Sequence, residues 1–205
     1  MKNFILLLGV ITLISCSKND SCLEYALQIA GENGTELTKV LNHYKKNPAD
    51  SLKLKAAEFL ISNMPWHYAY DSEKLKHFRN EILTTQRDSN VIEDVAMKIL
   101  GDKYGEFSYD NSDIVFDSKI ITSEYLIRNI EHSFMVWENI GWKNLISFND
   151  FCEDILPYRV STEPLEEWRE NYYNTFQPLL DSLLVNKEDP VEACQILYDY
   201  IIEED

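Results

Sequence analysis

Ser147–Arg169 reads SFNDFCEDILPYRVSTEPLEEWR, and helix physics accounts for most of it. Ser147 is a good N-cap. Asp150, three residues on, gives a capping-box pattern with Asp in the place usually held by Glu or Gln. Phe148, Phe151, Cys152, Ile155 and Leu156 then recur at helical spacing and make one apolar face. Asn149, Asp150, Glu153 and Asp154 make the other. Pro157 ends the helix, because it pushes Leu156 out of the α region. Beyond Tyr158-Arg159-Val160, Thr162 or Glu163 is placed to cap a second helix, with Pro164 in its first turn. Leu165, Trp168, Tyr172, Phe176, Leu179, Leu180, Leu183 and Leu184 continue that helix in steps of three and four. Pro178 lies inside this run and predicts a kink or break near Phe176. The stretch therefore predicts a helix, a rigid Pro-Tyr-Arg corner and a longer helix.

The same rules, applied outward, predict helices in both directions. Ser21 and Glu24 form an S-x-x-E capping box for a first helix carrying Leu23, Ala26, Leu27 and Ala30. Gly31-Glu32-Asn33-Gly34 breaks it. Thr35 caps a second helix with Leu37, Val40, Leu41 and Tyr44 on one face, and Lys45 and Lys46 suit the negative end of its dipole. After the Asn47-Pro48 turn, a third helix buries Ala56, Ala57, Leu60 and Ile61, and Met64-Pro65 ends it. Trp66-His67-Tyr68-Ala69-Tyr70 reads as an aromatic loop. Helices over 72–86 and 90–104 follow.

The segment 105–117 has alternating Phe107 and Tyr109, an Asp110-Asn111 pair and then Ile114-Val115-Phe116. It reads as a small hairpin or an irregular excursion. Thr122 caps a long helix, with Ile121 and Leu126 as a hydrophobic staple. Leu126, Ile130, Phe134 and Trp137 are its core stripe, and Gly141 follows near its end. Asp189-Pro190 starts a last helix with Val191, Cys194, Leu197, Tyr198 and Ile201. There are only six Gly, and no fixed-period repeat or long linker. The predicted fold is all-α, an irregular array of about seven to eight amphipathic helices forming one domain over 21–205.

The first fifteen residues have a different character. Met1-Lys2-Asn3 is a short basic segment, and Phe4 to Ile14 is an apolar run too short to span a bilayer as a mature helix. Leu13-Ile14-Ser15-Cys16 matches the bacterial lipobox. The expectation is a signal peptide over 1–15, cleavage before Cys16, acylation of Cys16 and a short tether over 16–20. Ser17 after the Cys favours the outer membrane, by resemblance to other lipoproteins. The formal charge is −16, and −17 once Lys2 leaves with the leader. Such acidity argues against nucleic-acid binding and against lying flat on anionic lipid. It gives no localised signal for a cationic partner. Cys22, Cys152 and Cys194 remain after Cys16. An odd count allows one disulfide at most, which the sequence does not place. Cys152 and Cys194 both sit on apolar helical faces, so the expectation for each is a buried free thiol.

FCEDILPYRV (151–160), EPLEEWRENYY (163–173), AAEFLISNMPWHYAY (56–70) and ITSEYLIRNIEHSFMVW (121–137), together with the lipobox, resemble the N-terminal helical region of bacterial lipoproteins with a transglutaminase-like domain. The resemblance spreads over nearly the whole chain but includes no catalytic signature. It implies that the nucleophilic Cys, with its His and Asp, lies in a further domain, beyond a helix like that at 190–203. This chain ends at Asp205. What the resemblance implies is an interaction or positioning module without catalytic residues or cofactor of its own. Its partners would be a downstream papain-like domain and, through Cys16, the membrane. The last helix ends in Glu203-Glu204-Asp205 at the negative end of its dipole and is expected to fray.

Cys152 lies near a helix start, which lowers a thiol pKa, but Asp150, Glu153 and Asp154 surround it with charge that raises the pKa. Carboxylate pairs among Asp150, Asp154, Glu163, Glu166 and Glu167 could serve a glycosidase, yet solvated helix faces supply such pairs routinely. His43, His67, His77 and His132 show no metal-ligand spacing, and there is no CxxC, P-loop or GxSxG. Trp66, Tyr68, Tyr70, Trp142 and Tyr158 are candidates for an aromatic platform binding a glycan or peptide, with His67 beside them. Trp137 and Trp168 belong to core stripes. Arg159 either clamps the two helices through Glu163 or Glu166, or binds a ligand anion. A stand-alone binding lipoprotein is the alternative to the positioning module, and a Cys- or carboxylate-dependent enzyme is the third reading.

Overall fold

Ala26, Ala30, Leu37, Val40, Leu41, Ala56, Ala57, Leu60 and Ile61 are all buried, so the apolar faces of the first three helices meet as their spacing predicts. These are α1 (Lys18–Ala30), α2 (Gly34–Lys45) and α3 (Ser51–Asn63). They pack on one another, and α2 and α3 pack on α7 (Ser123–Asn139), whose Leu126, Ile130, Phe134 and Trp137 complete the core. Burying each large apolar side chain contributes about 1.5–3 kcal/mol, so this four-helix contact dominates the fold. The computed structural model describes residues 18–89, 93–104 and 113–204 and is 78% helical. The leader, Cys16 and the first half of the 105–117 segment lie outside the described residues.

Between α1 and α2 the chain turns at Gly31, whose φ of 63° favours glycine. A short 3-10 turn follows, and α2 begins at Gly34 with Asn33 as its N-cap, not Thr35. Thr35 instead donates to the Glu32 carbonyl. Asn33 is held elsewhere: its Nδ2 donates to the carbonyls of Ser118 (3.1 Å) and Ile121 (2.9 Å). That ties the α1–α2 corner to α6 (Asp117–Ile120). Thr122 caps α7 as predicted, accepting from the Tyr125 N–H. The staple residues Ile121 and Leu126 are both in the core.

The aromatic segment at 66–70 is not a loop. Met64–Trp66 forms a 3-10 turn and β1 (Tyr68–Tyr70) follows. β1 pairs antiparallel with β2 (Ile114–Phe116), in the register Tyr68↔Phe116, Ala69↔Val115 and Tyr70↔Ile114. Ile114–Phe116 therefore finds its described partner far back in the chain, not across a local hairpin. Between the strands come α4 (Glu73–Ser89) and α5 (Glu93–Tyr104), which pack on each other.

The decisive stretch behaves as predicted at its start and departs later. Ser147 and Asp150 form the full capping box of α8 (Phe148–Asp150). A π-turn over Phe151–Ile155 then closes with Leu156 N–H on the Phe151 carbonyl at 2.8 Å. Phe151, Cys152 and Leu156 are buried. The next helix, α9 (Trp168–Leu183), starts at Trp168, not at Thr162 or Glu163. The reason is a local set of bonds joined to one long-range bond. The Glu163 carboxylate accepts from the Val160 and Ser161 N–H groups, both at 2.9 Å, and the Thr162 carbonyl accepts from Tyr70 N–H at 3.1 Å. Those bonds hold 160–163 as an irregular strap beside β1.

Arg169 secures the strap from the other side, donating to the carbonyls of Ile155 (2.7 Å) and Pro157 (2.8 Å) and to Asn129 Oδ1 (3.0 Å). Of the kink or break expected near Phe176, the break does not occur: α9 runs on through Pro178. It buries no residue fully; it packs on α7 and on α10 (Pro190–Glu204), and its first turn also meets 155–158. Proline's lost hydrogen bond is tolerable on such a solvated helix. For the same reason Cys194 on α10 is exposed, not buried, and Val191, Tyr198 and Ile201 are exposed too. Trp168 is only half-buried.

Candidate functional site

The strap, the β1 strand and the end of α3 enclose a cleft of about 460 Å³. It gathers most of the residues singled out by the sequence. Trp66, His67, Tyr68, Tyr158 and Arg159 all line it. Trp66 stands at the end of the 3-10 turn, 73% exposed. Strand alternation turns Ala69 into the core and leaves Tyr68 and Tyr70 half-exposed, their rings edge-on at 5.5 Å. Tyr70 does not reach the cleft lining. Trp142 lies apart, in a separate cavity of about 370 Å³ between α7 and α9 with Met135 and Tyr173. Tyr158 is no platform: only 1% of it is exposed, and its ring is part of the cleft floor.

That floor is a polar network centred on a residue the sequence did not mark. Asp117, fully buried, takes a hydrogen bond from Arg159 Nη2 on Oδ1 (2.7 Å), and Arg159 Nε lies 2.6 Å from its Oδ2. Tyr158 donates its hydroxyl to the same Oδ2 at 3.0 Å. Arg159 Nη1 donates to the carbonyls of Tyr68 (2.7 Å) and Ser161 (2.6 Å). The guanidinium is therefore committed inward. Its carboxylate partner is Asp117, not Glu163 or Glu166, and the anion-site reading of Arg159 loses its donors. Nothing around Ile114-Val115-Phe116-Asp117 in the sequence signals this pairing. It exists because β1–β2 pairing carries Asp117 to the corner, where its own N–H bonds the His67 carbonyl at 3.0 Å.

Electrostatics set the protonation states. Burial raises the Asp117 carboxyl, against the opposing pull of Arg159 and Tyr158. Burial also pushes the Tyr158 hydroxyl far above its ordinary range, helped by the Asp117 charge. Tyr158 thus keeps its proton and gives it to Asp117. His67 Nδ1 sits 3.0 Å from that hydroxyl oxygen. Since the single Tyr158 proton points at Asp117, Nδ1 must be the donor, and the network assigns the Nδ1–H tautomer. Burial lowers the His67 pKa, so the ring is neutral near pH 7 and its Nε2 is an acceptor. Glu163 is held below the usual carboxylate range: its desolvation is outweighed by bonds from backbone N–H groups, those of Val160 and Ser161 among them.

Phe59, Asn63 and Glu153 belong both to this cleft and to an adjoining cavity of about 600 Å³, where Cys22 and Cys152 also lie. Cys152 is 4% exposed. Its thiol is pushed up to about 11, by burial first and then by the Glu153 charge. At neutral pH almost none of it is thiolate, which is the wrong state for a nucleophile. Among the described residues no group of three His, Cys, Asp or Glu side chains could hold a metal ion. No helix among them is long and apolar enough to cross a membrane. Comparison with family models, curated proteins and solved structures gives no match to this chain.

Proposed function

We propose that this chain is a lipid-anchored binding module of the bacterial cell envelope, which holds a peptide or glycan in the cleft beside Trp66. The observation that carries the reading is Trp66 itself. A large indole, 73% exposed, stands over a concave site whose floor is rigidly hydrogen-bonded. Ligand sites combine such an aromatic wall with a few oriented polar groups, and here those groups are His67 and the carbonyls of the strap. The L-I-S-C sequence at 13–16 supports acylation of Cys16, and Ser17 supports the outer membrane. The resemblance to transglutaminase-like lipoproteins supports a positioning role, in which the cleft presents a ligand to a catalytic domain. The raised Cys152 thiol favours binding over chemistry in this chain.

Two experiments test the proposal. Titrating the labelled chain with short peptides and oligosaccharides should shift the Trp66 indole N–H signal, and Trp66→Ala should remove binding without lowering the melting temperature. Responses confined to Trp142 and its cavity would refute the site. Cys16→Ser should release the protein from membranes. A variant that stays in the membrane fraction after a salt wash would place the anchor elsewhere.

A further inference from the structure

We infer that the occupant of the cleft is the cationic side chain, lysine or arginine, of a peptide. This rests on the binding reading above and narrows it. The cleft presents acceptors and negative charge. Among the described residues Arg159 is the only lysine or arginine in its lining, and it is neutralised by Asp117 and turned onto the carbonyls of Tyr68 and Ser161. His67 is held neutral, with its Nδ1 proton on Tyr158 and Nε2 left to accept.

Glu153, exposed on the lining, has no ion-pair partner among the described residues. Glu163 stays ionised on the N–H groups of Val160 and Ser161, two cleft residues. In the adjoining cavity Lys55 is balanced by Glu58, so that side adds no net positive charge among the described residues.

The aromatic faces complete the chemistry. Trp66 and Tyr68 offer electron-rich rings to a cation, which a neutral carboxamide or hydroxyl exploits less well. A carboxylate, aromatic rings and further acceptors sharing one lining make the recognition set for an ammonium or guanidinium group. An anion would meet Glu153 in the lining, with Glu163 bonded behind Val160 and Ser161, and among the described residues of the lining would find no free guanidinium donor. The chain's net charge of −16 draws cationic ligands toward the surface and speeds their encounter.

The test compares three probes on the full chain by calorimetry and by the Trp66 indole signal. They are acetyl-Ala-Lys-Ala-amide, its Gln counterpart and a neutral N-acetylglucosamine tetramer. The lysine peptide should bind at least about tenfold more tightly than the Gln peptide. Its affinity should fall as salt rises from about 50 to 500 mM. Glu153→Gln should weaken it about fivefold or more, and Trp66→Ala should abolish the binding heat of the lysine peptide. Both side chains are exposed, so neither change threatens folding. Equal affinity for the Gln peptide, or an unchanged affinity in Glu153→Gln, overturns the inference. Trp66-dependent binding of the neutral tetramer without lysine preference overturns it too, yet leaves the binding module standing. Silence at Trp66 with all three probes overturns both.

Discussion

Asp117 and Arg159 lie 42 residues apart, and either charge buried alone would be costly. Together, with Tyr158 and two carbonyls, they satisfy one another. Removing one partner leaves an uncompensated charge under the cleft. Asp117→Ala should therefore destabilise the fold by about 3–5 kcal/mol, and Arg159→Met by a similar amount. The double variant should lose clearly less than the sum, because neither charge is stranded. Urea unfolding of the three variants checks this; additive losses would mean that the pair is not coupled. Cys152 tests the packing beside the same site. With its thiol raised to about 11, it should label slowly in the native state and rapidly after unfolding, while exposed Cys22 and Cys194 label at once. Cys152→Ala should cost about 1 kcal/mol, the price of a small cavity. Native labelling of Cys152 as fast as that of Cys22 would mean an open, activated thiol.

At the scale of elements, joints carry the specificity. Gly141 follows α7, and a Cβ placed there would lie 1.8 Å from the Lys187 carbonyl oxygen. The connection between α9 and α10 can approach α7 only because that hydrogen replaces a methyl. Gly141→Ala should cost about 1–3 kcal/mol as the 185–189 backbone is displaced, read as a lower denaturation midpoint. An unchanged midpoint would show that the α9–α10 layer moves aside freely. The other joint is the tie between α2 and α7. Glu36 Oε2 accepts from Ser123 N–H (2.9 Å) and from its hydroxyl (2.6 Å), in the first turn of α7, where a negative charge is favoured. Its pKa falls from 4.5 to about 2, through Lys39 first and Ser123 next. A depressed carboxylate stabilises the fold at pH values above the unfolded pKa, and that contribution is lost as the pH falls through the folded one. Melting temperature should therefore drop between pH 4.5 and about 2, and Glu36→Gln should flatten that part of the profile. An unaltered profile in the variant would assign the acid sensitivity to other carboxylates.

Across the whole molecule, the sequence by itself determined what depends on near neighbours. The apolar faces of the helices within 18–63 and 123–139 follow from three- and four-residue spacing, and the capping box at Ser147 and the cap at Thr122 from side chains that bond their own backbone, whereas α1 already begins at Lys18, ahead of the expected Ser21 cap. The all-α class and the aromatic character of the Trp66 corner were legible for the same reason. Tertiary structure alone decided the rest. Periodicity marks an apolar face but not whether another element covers it, so Cys152 is buried and Cys194 exposed. The pattern in 164–184 is helical throughout, yet the helix starts at Trp168 because the Glu163 carboxylate caps Val160 and Ser161 locally and Tyr70, from a distant segment, holds the Thr162 carbonyl. The strand at 68–70 exists only because 114–116 lies beside it. Trp66, His67, Tyr68, Tyr158 and Arg159 could each be named from the sequence. Their assembly over Asp117, and the exclusion of Trp142, depended on a long-range pairing that no local rule encodes.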